Sequence, residues 1–208
     1  MFLETLDSHT RLLLQGLSHE PIVSSFYLAG GSALALHLGH RVSLDLDFFS
    51  LRQYSMRELI NHLQMLGHLT IESQSADTLV GELNSVKLSF FTYPYPLLAE
   101  TVPCEGIQLA SLLDIALMKI AAIGQRGTKR DFIDLYFLYQ QGFTVEGLLQ
   151  QMPQKFPSIT YPSYHLLRAL AYFDDAERDD MPKMLTLIQW ETVRNFFSAK
   201  ANRLLETM

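Results

Sequence analysis

Two aspartates one residue apart, Asp45 and Asp47, stand in "SLDLDFF", a run that otherwise reads as buried sheet. In an extended strand alternate side chains share a face, so the spacing predicts both carboxylates on one side with Leu44, Leu46 and Phe48 on the other. Two carboxylates held a few ångströms apart repel unless a proton or a cation lies between them. Hard oxygen donors suit Mg²⁺, which completes its shell with waters and substrate phosphates. Shortly upstream, "GGS" places Gly30, Gly31 and Ser32 between a strand-like run and a short helical one. Glycines let a backbone approach phosphate closely, a helix N-terminus offers free amides, and Ser32 adds a hydroxyl donor. A Gly-Gly pair alone is usually only a turn, and a lone D-x-D is usually solvated. In the order strand, GGS, short helix, D-x-D strand they make an anion cradle opposite a metal clamp.

The flanking elements are expected as follows. Leucines from Leu3 to Leu17 recur at helical spacing, so the first helix falls there. "IVSSFYLAGG" (22 to 31) reads as a buried strand stopping at the glycines, "SALALHLGH" as a helix closed by Gly39, and "VSLDLDFFS" (42 to 50) as the acid-bearing strand. "MRELINHLQMLGH" predicts an amphipathic helix with Leu59, Ile60, Leu63 and Leu66 on one side and Gly67 as its stop. Three strands follow in "LTIESQS", "TLVGEL" and "VKLSFFTY", with Asn84-Ser85 turning between the last two. "YPYP" (93 to 96) is expected to end the sheet, because proline removes a ladder donor. From Leu109 the pattern is helical, interrupted at Gly124, Gly127, Gly142 and "MPQKFPSITYP". The chain thus divides into a mixed α and β part, residues 1 to 100, and a helical part, residues 101 to 208, which is an α+β organisation.

Further candidates lie in the helical part. Lys119 sits in the apolar "LLDIALMKIAAI", and Arg126 follows seven residues later on roughly the same face, which suggests an anion-facing role. The plain alternative is a lysine whose stem lies on apolar surface with its head in water. Thr128 and Asp131 form a T-x-x-D capping pattern, and Arg130 with Asp134 is spaced for a surface ion pair. "QRGTKR" is the one local basic cluster and reads as a solvated turn. His37 and His40 lack a third ligand for zinc and read as solvated or capping. Phe132, Leu135, Tyr136 and Tyr139 read as a core stripe, and Trp190, Phe196 and Phe197 as packing or a contact surface.

Bulk properties bound the rest. The 208 residues are 48% hydrophobic with a net charge of −6, enough apolar material for a well-buried core and no basis for blanket attraction to nucleic acid. The single cysteine, Cys104, permits no internal disulfide. No run approaches the roughly 20 apolar residues of a membrane span, and the acidic start "MFLETLD" does not resemble a secretion signal, so no membrane association and a cytoplasmic location are expected.

The segments "LAGGSALALHLGHRVSLDLDFF", "VKLSFFTYPYPLL" and "IQLASLLDIALMKIAAIGQRGTKRDFIDLYFLY", in this order, resemble the polymerase β-type nucleotidyltransferases. More closely the sequence resembles the AbiEii/AbiGii toxin branch of that superfamily, over most of residues 25 to 140. The resemblance implies a nucleotidyltransferase core with a mixed β-sheet. It also implies transfer of a nucleoside monophosphate from an NTP to an RNA, such as a tRNA end, or to a protein acceptor, and a cognate antitoxin. It implies that Gly30, Gly31 and Ser32 hold the triphosphate, that Asp45 and Asp47 hold Mg²⁺, that Lys119 with Arg126 faces phosphates, and that Asp131 lies near the active site. One departure stands out: many relatives carry a third carboxylate on a following strand, where this chain has Ser89. Two other readings remain at this point. One is a metal-dependent glycosyltransferase, against which the GGS turn speaks; the other is a catalytically silent nucleotide-binding or antitoxin-binding module.

Overall fold

A run of strand-forming and helix-forming segments in the first half and helices alone in the second give an α+β chain. The computed structural model describes residues 1–207, which cluster into two units, Met1–Ser111 and Leu112–Met208.

The first unit is built on one seven-stranded mixed sheet: β1 (Tyr27–Ala29), β2 (Leu46–Ser50), β3 (Leu69–Gln74), β4 (Thr78–Leu83), β5 (Val86–Thr92), β6 (Val102–Cys104) and β7 (Ile107–Leu109). Their spatial order is β3-β4-β5-β2-β1-β7-β6. β3, β4 and β5 form an antiparallel meander, β5 runs parallel to β2, β2 antiparallel to β1, and β1 parallel to β7. Leu28, Phe48, Leu88, Phe90 and Leu79 point to one face and are buried, with the rings of Phe48 and Phe90 stacked at 5.0 Å. The helices α1 (Ser8–Ser18) and α3 (Met56–Leu66) bury Leu13, Leu14, Leu17, Leu59 and Leu63. Asp7 and Ser55 cap these helices by accepting from Thr10 N and Glu58 N, each contact contributing about 1 kcal/mol. Gly39 closes α2 (Gly30–Leu38) in the left-handed conformation. Asn84 and Ser85 turn β4 into β5, both with positive φ as a tight hairpin turn demands.

Several expected boundaries moved, each for a local reason. The segment 22 to 31 is not one strand. Pro21 opens a short 3₁₀ turn, Ser24 and Ser25 donate back to the carbonyls of Pro21 and Ile22, and only Tyr27–Ala29 joins the sheet. The acid-bearing strand starts at Leu46 rather than Val42, because the backbone before it is engaged elsewhere: Ser43 N donates to Thr5 O and Ser32 Oγ donates to Asp45 O. Leu44 is accordingly 53% exposed and does not share a face with Leu46 and Phe48. The sheet also continues past "YPYP" with the β6–β7 hairpin, whose turn residues Glu105 and Gly106 have positive φ. Pro103 lies in β6, at the sheet edge where a missing donor is tolerated. The first unit therefore runs to Ser111 rather than ending near residue 100.

The second unit is helical: α4 (Leu112–Gln125), α5 (Lys129–Gln140), α6 (Val145–Lys155), α7 (Ser163–Leu170), α8 (Asp174–Arg178) and α9 (Trp190–Leu205). Gly124 does not interrupt α4. A Cβ there would stand 2.6 Å from Leu166 Cδ2, so the glycine lets α7 approach. Pro153 likewise lies inside α6 rather than in the loop after it. Phe132 packs among Phe173, Trp190 and Phe197 at ring distances of 5.1, 6.0 and 5.8 Å, and Tyr136 and Tyr139 pack on Phe196, so the aromatic stripe and the tail aromatics are core. No helix among the described residues is long and apolar enough to cross a membrane.

Candidate active site

The chain leaves β1 and enters α2 through Gly30, whose φ of +67° is a conformation that side chains with a Cβ rarely adopt. The next residue, Gly31, begins the helix proper. Ala29, at the N-cap, has no side chain able to make a capping bond to the first amides of α2. Asp47 is the register partner of Ala29 across the β1–β2 ladder, which carries its side chain to this corner. A Cβ on Gly30 would stand 2.9 Å from Asp47 Oδ2, so the carboxylate occupies the space that glycine leaves.

Asp45 is tied to α2 through its backbone. It precedes β2, and its carbonyl accepts from Ser32 Oγ. Ser32 is 1% exposed and also bonds Ser43 Oγ at 2.9 Å. The hydroxyl that the sequence suggested as a phosphate donor is thus engaged in tying the acid-bearing loop to the second residue after the glycine corner. The segment before it is stitched to the N-terminus, with Phe2 N donating to Leu36 O and the Phe2 ring packed where a Cβ on Gly39 would collide. On the other side of β2, Ser89 of β5 is the direct register partner of Asp47. Among the described residues no group of three His, Cys, Asp or Glu side chains could hold a metal. The Asp47 carboxylate beside the glycine corner is a hard donor of the kind that suits Mg²⁺, which is commonly held by one or two protein carboxylates together with substrate phosphates.

A residue not singled out in the sequence joins this corner. Arg41 is 2% exposed, its Nη1 donates to Val42 O at 3.1 Å, and its Nη2 lies where a Cβ on Gly31 would collide with it. The only signal in the sequence was a lone cation in "GHRVSLDLD", between a helix stop and two acids. The two neighbouring histidines are not solvated: His37 Nε2 bonds Ala110 O at 2.9 Å and His40 is fully buried.

In the second unit Lys119 and Asp131 are together, as are Lys119 and Asp134. The ammonium stands 2.8 Å from Asp131 Oδ1 and 2.7 Å from Asp134 Oδ2, all three residues being buried. The side chain of Asp134, which the sequence spacing set against Arg130 on the helix surface, is fully buried and meets Lys119. Asp131 closes a capping box, accepting at Oδ2 from Thr128 N at 3.2 Å and Thr128 Oγ1 at 2.6 Å. Burial pushes the Asp131 carboxyl up, but the charge of Lys119 and the bonds from Lys119 and Thr128 outweigh it and hold it below the ordinary value. Arg126 lies beyond the end of α4 and is exposed. Lys129 of the same basic cluster is not solvated: its amide donates to Asp179 Oδ2, its ammonium to Asp179 O, and the ammonium lies 5.4 Å from the Trp190 ring. A second buried pair, Lys155 to Asp114 at 2.8 Å, joins α6 to α4.

Comparison with known proteins shows the family and the fold. The family described as "Nucleotidyl transferase AbiEii toxin, Type IV TA system" matches residues 11–78 and 81–200. The Aquifex aeolicus (strain VF5) protein aq_aa25 is 37% identical over 190 residues, covering 89% of this chain and 90% of that protein. Among solved structures, JHP933 from Helicobacter pylori superposes with a TM-score of 0.56 at 20% identity, covering 97% of this chain and 94% of that one. MenT4, the nucleotidyltransferase toxin Rv2826c from Mycobacterium tuberculosis H37Rv, superposes with a TM-score of 0.52 at 12% identity, covering 94% and 86%. At these identities the superpositions speak for the fold, and the family match carries the assignment: the chain belongs to the AbiEii nucleotidyltransferase toxin family of type IV toxin–antitoxin systems.

Proposed function

We propose that this protein is an active Mg²⁺-dependent nucleotidyltransferase that moves a nucleoside monophosphate from an NTP to a hydroxyl of an RNA, such as a tRNA end, or of a protein, releasing pyrophosphate. It acts as the toxin of its pair, held in check by a cognate antitoxin. The observation that carries this reading is the carboxylate of Asp47 in the space left by Gly30, at the start of α2. The reading puts an anion cradle and an acidic pair at one corner.

Transfer of a phosphoryl-type group needs charge neutralisation and in-line positioning more than covalent help. Asp45 and Asp47 would hold Mg²⁺, which when bound neutralises charge on the phosphate oxygens. The bare backbone of Gly30 and Gly31 lets the triphosphate come against the α2 amides. Ser32 acts indirectly, by fixing the carbonyl of Asp45. By family resemblance Lys119 and Arg126 are the cations that serve the phosphates; Asp131 and Asp134 hold the Lys119 ammonium. Asp131 serves as partner to Lys119 rather than as base, because a carboxyl held below its ordinary value is a weak proton acceptor.

Incorporation of labelled NTP into RNA and protein fractions tests the proposal, with Asp45→Asn and Asp47→Asn as controls. Labelling that vanishes in both variants supports it, and labelling that persists in them removes the metal assignment. Ser89 in register with Asp47 favours a second reading, a nucleotide-binding module without turnover. NTP binding with no labelled product in any fraction would establish that one instead.

A further inference from the structure

Consecutive glycines at the corner make room for opposite charges: Gly30 for the carboxylate of Asp47, and Gly31 for the guanidinium of Arg41. Arg41 is buried at 2% exposure, so it is not a solvated surface cation. Its fork grips the backbone at Val42 O, while Ser43 Oγ, 3.3 Å from where a Cβ on Gly31 would be, bonds Ser32, which in turn bonds Asp45 O. The segment from Arg41 to Asp45 thus packs over Gly31 at one end and is bonded to Ser32 at the other.

We infer that Arg41 is a positioning residue of the site: seated in the Gly31 notch, its guanidinium locks the loop 41–45 against α2 and so presets the spacing of Asp45 and Asp47 before a metal arrives. This inference rests on the reading of those two acids as the metal-holding pair. The planar fork is the working part, since a permanently charged guanidinium can brace a backbone in fixed geometry where an ammonium cannot. Charge alone would act in the opposite sense, because a cation beside the acids competes with a metal for them.

Arg41→Lys separates the two effects, as it keeps the charge and loses the fork. The metal alone, Mn²⁺ titrated into the full chain and followed by loss of the free-ion EPR signal, reads the acid pair without turnover. Expected are Mn²⁺ binding weakened by about fivefold or more and kcat for NTP labelling lowered by about tenfold or more, with KM for NTP within about twofold of the parent. Gly31→Ala, which pushes the guanidinium out of its notch without removing it, is expected to weaken Mn²⁺ binding as Arg41→Lys does; its KM is not part of the comparison, because Gly31 also borders the triphosphate. The double variant is expected to lose little more than either single one, since both act through one contact. Unchanged Mn²⁺ affinity and kcat in Arg41→Lys, or in Gly31→Ala should the first variant fail to fold, overturns the inference. A rise in KM at unchanged kcat also overturns it, and makes Arg41 a phosphate ligand. If instead Asp45→Asn and Asp47→Asn bind Mn²⁺ like the parent, the metal reading itself has failed, whatever Arg41 does.

Discussion

Asp47 and Ser89 are register partners on the parallel strands β2 and β5, side by side on the same face of the sheet. Ser89→Asp therefore places a third carboxylate next to the acid pair. Added ligand charge tightens metal binding, and added repulsion costs stability when no metal is present. The expected outcome is Mn²⁺ affinity raised by about fivefold or more, together with a melting temperature that falls in EDTA and recovers on adding Mg²⁺. A variant as stable in EDTA as the parent, with unchanged affinity, would show that the two positions do not share one electrostatic environment.

Gly30→Ala combines two penalties, a positive φ and a Cβ 2.9 Å from Asp47 Oδ2. The conformational part costs about 1–2 kcal/mol. The displacement of Asp47 is expected to lower labelling by about a hundredfold. Chemical denaturation and steady-state labelling measure the two separately; a fully active Gly30→Ala would place the reacting phosphates elsewhere.

Lys119 neutralises two carboxylates, so its loss leaves both buried acids uncompensated. Lys119→Met is expected to destabilise by about 3–5 kcal/mol, and Asp131→Asn by less, because Asp134 still pairs with the ammonium. Urea unfolding orders the two variants.

The lowered carboxyl of Asp131 also sets a pH dependence. Its folded-state value lies below the unfolded 3.8, so its contribution to stability is fully present above that pH and is lost as pH falls through the folded value. In Asp131→Asn the slope of stability against pH below about 4 should flatten. Thermal melts across that range test it, and an unchanged acid slope would show that other carboxyls govern it.

Lys155 and Asp114 are wholly buried in one another's company. Removing one partner, as in Lys155→Met, is expected to cost about 3–5 kcal/mol, whereas Lys155→Met with Asp114→Leu should recover most of that loss. Nucleotide labelling by the stable double variant is expected to equal that of the parent, since the proposal gives this pair a packing role only.

Part of the local structure was visible in the residues themselves. The glycine corner, the short helix stopped by Gly39 and the strand through Asp47 were legible because backbone freedom and residue periodicity are local properties. The Thr128 and Asp131 capping box was legible for the same reason. What escaped depends on distant partners. Asp45 was read as a strand residue, yet Ser32 takes its carbonyl and Thr5 takes the amide of Ser43, so the strand starts later. Arg41 was not singled out at all, because nothing local shows that the space above Gly31 holds its guanidinium. Asp134 was set in sequence against Arg130, four residues away, and its contact with the buried ammonium of Lys119, on another helix, could not be read from that spacing. The β6–β7 hairpin was hidden by Pro103, which reads as a strand breaker and is harmless only because β6 lies at an edge.

The strand bearing Asp47 has three neighbours on each side in the sheet order. Fraying begins at outer strands, so amide hydrogens of β2 should exchange with solvent far more slowly than those of β3 or β6. A molecule that breathes at its margins would thus keep Asp47 anchored, leaving Asp45, fastened by a loop, as the half of the pair that opening events can release.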